Sequence, residues 1–357
     1  MRARSRTLVV LATVSVLGGC ASPPPPPPPP PKPVVVGPPT DTLKIPLTDL
    51  LSGTYYGHAG GLYPGAVNFP PAEHDTAARS RRNLIKPLDV NGDESPFGKY
   101  VLLSIGSSTT TREWCSASSG PPCSAWSFMG RAAQDPTVNH YTMVIVNGAA
   151  DGQDAPQWGS PTSPNYERIK VGRLAPLGLS ENQVQAIWVD LFDPKPTVVL
   201  PADSADANAL VTNLGLVMRA LRARYPYLRL VFVSSREYGG YSTIDLDPEP
   251  YAYETGFSVK WLIESQVNEM RGRPTNPRAG TLDYVKKAAP LLLWGPYLWA
   301  AGATPRSDGL LWLPVDFEAD GFHPSQVGVT KVAEKLLDFF RNSPYARCWF
   351  VTGGYCL

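Results

Sequence analysis

The chain has 357 residues, 43% of them hydrophobic and 18% charged. That is enough apolar material for one large α/β domain or two small ones, and it excludes a chain that is disordered throughout. With 32 basic against 31 acidic residues the net charge is +1. No global field draws the chain to nucleic acid, and no nucleic-acid partner is expected.

The first twenty residues read as an export signal: Arg2, Arg4 and Arg6, an apolar run over 7–16, then Leu17-Gly18-Gly19-Cys20. The run is too short to span a bilayer as a helix. A cysteine placed directly after small residues resembles the lipobox of bacterial lipoproteins. The resemblance implies a lipid on Cys20, anchorage in the bacterial envelope, and, with Ala21 and Ser22 non-acidic, the outer membrane over the inner. An ordinary signal peptide with an incidental cysteine is the alternative. Residues 21–40 follow as a proline-rich tether, with an unbroken proline run over 23–31. Proline fixes φ and has no N–H to donate, so this segment is expected to be an extended rod reaching roughly 55–60 Å. A proline-recognition ligand is the alternative reading of the same run.

Export places the other four cysteines, Cys115, Cys123, Cys348 and Cys356, where disulfides persist, and four allow three connectivities. The local pairs Cys115–Cys123 and Cys348–Cys356 are preferred because each closes a short loop. Zinc is the weaker reading, since Cys-x-x-Cys spacing is absent and no histidine lies between the members of either pair.

Residues 41–96 read as an irregular N-terminal extension wrapped on the core, and 97–357 as the main domain. Short apolar strands are expected at 100–105, 141–146, 186–191, 228–234 and 291–294. The fourth is preceded by an amphipathic helix over 205–224, with Leu210, Leu214, Val217 and Leu221 at helical spacing. A closing helix over 327–340 carries Val332, Leu336, Leu337 and Phe340 on one face. Such alternation predicts a parallel sheet covered on both faces, with ligands bound beyond the carboxyl ends of its strands.

Ser108 lies at such an end, in Gly106-Ser107-Ser108-Thr109-Thr110. A hydroxyl nucleophile needs a base, and the base needs an acid to hold its tautomer. The chain has four histidines: His58, His74, His140 and His323. His58 and His74 fall in the extension and read as surface residues; His140 opens a strand and reads as a capped or satisfied core residue. His323 alone has an aspartate at short range and a helix start behind it, in Asp320-Gly321-Phe322-His323-Pro324-Ser325. The bland reading of Asp320 is a turn that starts the helix.

These two blocks, in this order and at this separation, resemble those of the SGNH/GDSL hydrolases, serine esterases, over roughly residues 100–341. The segment from Ser234-Ser235-Arg236-Glu237-Tyr238-Gly239-Gly240-Tyr241 to Tyr251-Ala252-Tyr253-Glu254 looks like a little-characterised bacterial branch of them. The resemblance implies a flavodoxin-like three-layer α/β/α sandwich with a parallel sheet. It also implies that Ser108 is the nucleophile, His323 the base and Asp320 its orienting acid, without cofactor or metal. The chain departs from the family pattern in two places. Ser107 stands where an aspartate is usual, and no asparagine follows the third strand, where Asp190-Leu191-Phe192-Asp193-Pro194 is found. The oxyanion hole is therefore expected from the amides of Ser108 and Gly148, with Asn147 as a side-chain donor.

Arg236, Glu237, Tyr238, Tyr241, Glu249, Tyr251, Tyr253 and Glu254 cluster after the fourth strand. They suit stacking on a sugar, or equally a polar lid packed by its own tyrosines. Trp294, Trp299 and Trp312 read as pocket wall or core, with core favoured for at least two of them. The leading expectation is thus a surface-anchored, monomeric esterase that removes acetyl or another short acyl group from a carbohydrate through an acyl-enzyme. The alternative is a non-catalytic glycan-binding or envelope lipoprotein with the same fold. A metal-dependent hydrolase comes third, for want of a ligand cluster in the sequence.

Overall fold

The computed structural model describes residues 43–116 and 121–354. The signal segment, Cys20, the tether and Cys356 lie outside the described residues. Among the described residues no helix is long and apolar enough to cross a membrane.

In chain order the elements are α1 (Leu47–Leu50), β1 (Thr54–Tyr55), β2 (His58–Ala59), α2 (Ala72–Arg82), β3 (Tyr100–Gly106), α3 (Ser108–Cys115), α4 (Phe128–Gln134) and β4 (Met143–Asn147). There follow α5 (Pro164–Ile169), β5 (Val184–Asp190), α6 (Asp206–Arg224), β6 (Leu230–Ser234), α7 (Tyr251–Met270), β7 (Leu291–Trp294), α8 (Gln326–Asn342) and α9 (Arg347–Phe350). Strands β3 to β7 form one parallel sheet in the order β4-β3-β5-β6-β7. That is the flavodoxin-like strand order, whose switch point lies at the ends of β3 and β5.

The five expected strands all form, their ends displaced by no more than two residues. Alternate residues feed two cores. Val101, Leu103, Ile105, Val189, Val231, Val233 and Leu292 face α6 and α7, packing with Leu214, Val217, Phe257 and Leu262. Tyr100, Leu102, Trp188, Leu230, Phe232 and Leu293 face the other way, against Trp114, Phe128, Val332, Leu336 and Phe340. A strand buried on both faces reads as a continuous apolar run, which is why these segments are legible. The result is the expected three-layer sandwich.

Two expectations need correction. The extension is not irregular throughout: it holds the hairpin β1–β2 and the eleven-residue α2, and contributes Leu47, Leu50 and Tyr55 to one core and Ala78 and Ile85 to the other. His74 is not on the surface; it lies buried on α2 with Nε2 2.7 Å from the Leu292 carbonyl, and burial holds its pKa down. His140 in turn is exposed, ahead of β4 rather than in the core. The Cys115–Cys123 disulfide is present, joining the end of α3 to the loop before α4.

Candidate active site

The registers Ser104↔Asn147, Gly106↔Asp190 and Asp190↔Ser234 align the carboxyl ends of β4, β3, β5 and β6. Gly106 ends β3, and the chain turns there at once into α3. A Cβ at that position would overlap Thr110 Oγ1 and press on the Asp190 carbonyl, so the close passage of α3 over β5 requires glycine. Thr111 Oγ1 donates to the Ser107 carbonyl at 3.0 Å, which tightens the first turn. Ser108 is thereby held as the first residue of α3, partly exposed at the rim.

The second half of the site comes from the loop before α8. Ser325 caps α8 by accepting the amides of Val327 and Gly328. Across the loop, the Glu318 amide donates to the His323 carbonyl at 2.8 Å, and the Ser325 amide to the Asp316 carbonyl at 2.9 Å. Gly321 sits at φ +66°, in the left-handed region that glycine enters without strain, and packs against the Tyr241 backbone. Within this frame Asp320 Oδ1 accepts the amides of Phe322 and His323, both at 3.0 Å. Its other oxygen, Oδ2, lies 2.6 Å from His323 Nδ1. Burial acts to raise the Asp320 carboxyl, but these hydrogen bonds outweigh it and hold the group below its ordinary range.

The two halves meet. Ser108 Oγ lies 2.9 Å from His323 Nε2, across 215 positions of sequence. With Nδ1 committed to Asp320, Nε2 is left as the acceptor that the serine proton requires.

The other site expectations fare differently. The Gly148 amide donates to Ser104 Oγ at 3.2 Å. Asn147 is buried, its Nδ2 donating to the Thr111 carbonyl while its Oδ1 accepts from Ser104 Oγ and the Ala149 amide. Both are therefore engaged in bracing β4 against β3 and α3 and are corrected as oxyanion donors. The Ser108 amide opens α3, where a first-turn N–H has no intrahelical acceptor.

The sugar-facing cluster is corrected in the same way. Arg236, Tyr253 and Glu254 are buried: the Tyr253 hydroxyl donates to the Ile45 carbonyl, and Glu254 accepts from the Tyr55 hydroxyl and the Leu200 amide. Glu249 Oε1 accepts from Trp299 Nε1 at 2.6 Å and from the Gly239 amide. Tyr251 begins the long helix α7. Tyr238 and Tyr241 remain partly exposed, edge to face at 5.0 Å, beside the acid–base loop. Trp294, Trp299 and Trp312 are all core.

Sequence reasoning missed a buried ionic group beneath the serine. Glu113 of α3, Asp190 at the end of β5 and Glu237 after β6 bring their carboxylate oxygens within 4.8 Å of one another. The buried Arg236 lies beside them, with Nη1 2.6 Å from Glu237 Oε2 and its plane 4.4 Å from the Phe322 ring. Burial, reinforced by Glu237, pushes the Glu113 carboxyl well up and that of Asp190 to about 7. Three residues on three elements give no local signal, so no reading of spacing would have found them.

No family model and no curated protein matches the chain. Among solved structures it is similar to a putative GDSL-like lipase from Parabacteroides merdae, at 14% identity over 71% of this chain and 97% of that one, TM-score 0.36. It is similar also to an extracellular lipase from Streptomyces rimosus, at 14% identity over 67% and 98%, TM-score 0.31. A two-domain esterase active on acetylated mannans aligns at 9% identity over 79% and 55%, TM-score 0.35. The fold is the α/β/α sandwich that the SGNH/GDSL resemblance implies.

Proposed function

We propose that this chain is a serine hydrolase of carboxylic esters, and the observation that carries the reading is the continuous Ser108–His323–Asp320 contact at 2.9 and 2.6 Å. Ser108 Oγ attacks the ester carbonyl while His323 Nε2 takes its proton. The same proton passes to the departing alcohol, and the serine is left acylated. Water, deprotonated by His323, then releases the carboxylic acid. Asp320 stays ionised throughout, holding the tautomer and stabilising the transient imidazolium. The amide of Ser108 supplies one donor to the oxyanion.

The finer reading is an O-acetyl or other short acyl ester on a carbohydrate, at a surface-anchored enzyme. Tyr238 and Tyr241 support the sugar, as two partly exposed rings beside the acid–base loop able to stack on a pyranose face. Cys20 and the preceding apolar run support the anchor. The test assays the full chain on an aryl acetate and an acetylated oligosaccharide, wild type against Ser108→Ala and His323→Ala. Each substitution is expected to lower kcat/KM by about 10³-fold or more and to abolish labelling by a fluorophosphonate. Equal rates in all three proteins would overturn the proposal.

A further inference from the structure

One guanidinium shares a sealed space behind the catalytic helix with more carboxyl groups than it can pair. Arg236 faces four carboxylates, Glu113, Asp190, Glu237 and Asp247, and all five side chains are at most 2% exposed. Arg236 Nη1 serves Glu237, and its Nε lies 3.8 Å from Asp247. Neither oxygen of Asp190 receives a hydrogen bond within the described residues, and the Glu113 carboxyl meets that of Glu237 with no other partner. A buried carboxylate without donors is costly unless it is paired or bound to a metal ion. The acidic grouping and the fully buried Asp190 carboxylate, which has no hydrogen-bond donor among the described residues, are two separate observations, and both call for positive charge.

We propose that Glu113, Asp190 and Glu237 form a structural calcium site. Oxygens no more than 4.8 Å apart can all touch one central ion about 2.8 Å away or nearer, and a small contraction reaches the 2.3–2.6 Å of calcium–oxygen bonds. An all-oxygen donor set selects a hard cation over zinc. Magnesium demands bonds of about 2.0–2.1 Å, a far larger contraction of the grouping than calcium needs. The ion joins α3, β5 and the loop after β6, and so ties the helix that begins with Ser108 to the sheet beneath it. Its role is to hold the fold at that point; it touches no reacting atom.

The test is independent of any hydrolytic activity. The full chain is expressed and purified with calcium and without chelator, and its metal content and thermal midpoint are measured with and without EDTA. About one calcium per chain is expected. Chelation should lower Tm by roughly 4–8 °C, with recovery on adding calcium but not magnesium. Glu113→Gln and, should that variant not accumulate, Asp190→Asn should lose the bound ion and the response to EDTA. A calcium content near zero with a Tm indifferent to EDTA overturns the proposal and leaves the carboxyl groups holding protons instead. Retention of the ion in a folded variant overturns it equally.

Discussion

Replacing Asp320 by asparagine tests the proton relay most sharply, because the structure dictates which way the amide would sit. Asp320 Oδ1 accepts two backbone amides at 3.0 Å, so the carbonyl oxygen of the new side chain must take that position. The NH2 group then falls where Oδ2 now lies, 2.6 Å from His323 Nδ1. A donor facing Nδ1 makes that nitrogen the acceptor and moves the ring proton to Nε2, the nitrogen that must take the proton from Ser108 at 2.9 Å. Shape is kept and the tautomer is inverted. The expected loss is about 10³–10⁴-fold in kcat/KM on an aryl acetate, equivalent to about 4–5 kcal/mol of transition-state stabilisation. Fluorophosphonate labelling should slow in parallel while Tm stays near wild type. Activity within tenfold of wild type would refute the tautomer argument and leave Asp320 as a loop brace.

Other consequences can be measured on the same preparation. Gly321→Ala places a Cβ against the Tyr241 carbonyl at a residue with φ +66°, which should shift the loop bearing Asp320 and His323 and lower kcat by about 100-fold; unchanged kinetics would show that the loop tolerates the move. Asn147→Ala removes the acceptor of the Ser104 hydroxyl and the Ala149 amide and a donor to the Thr111 carbonyl, and should cost roughly 2–4 kcal/mol in urea unfolding. Burial pushes the Glu254 carboxyl up to about 7, so its contribution to stability is complete at acid pH and is lost as pH rises from the ordinary glutamate range through 7. Glu254→Gln should therefore gain on wild type between pH 5 and pH 8, by up to about 3 kcal/mol; a pH-independent difference would count against the raised value.

The sheet was legible because each strand is enclosed on both sides and so spells an apolar run. The serine and the Asp-x-x-His block could be found because each is confined to one short loop. Helix α7 escaped notice for the opposite reason: fourteen of its twenty residues are buried, Glu254, Lys260 and Gln266 among them, so no single apolar stripe marks it. Its first turn was read instead as part of a sugar-binding cluster. Arg236 misleads similarly, since an arginine beside tyrosines looks solvent-facing until the Phe192 and Phe322 rings stack over it. Which way the Asn147 amide turns depends on Ser104 and Thr111, which lie far from it in the chain.

The serine and the imidazole it meets are 215 residues apart, one supplied by the helix that follows the sheet's first strand and the other by the approach to the last long helix. The hydrolysis proposed for this chain is therefore a readout of completed assembly. A nascent chain lacking α8, or one clipped between β6 and β7 whose pieces separate, has an ordinary serine and an ordinary histidine and no means of joining them. Two such fragments that regain turnover on mixing would report the docking of the layers directly, with the substrate serving as the probe of folding.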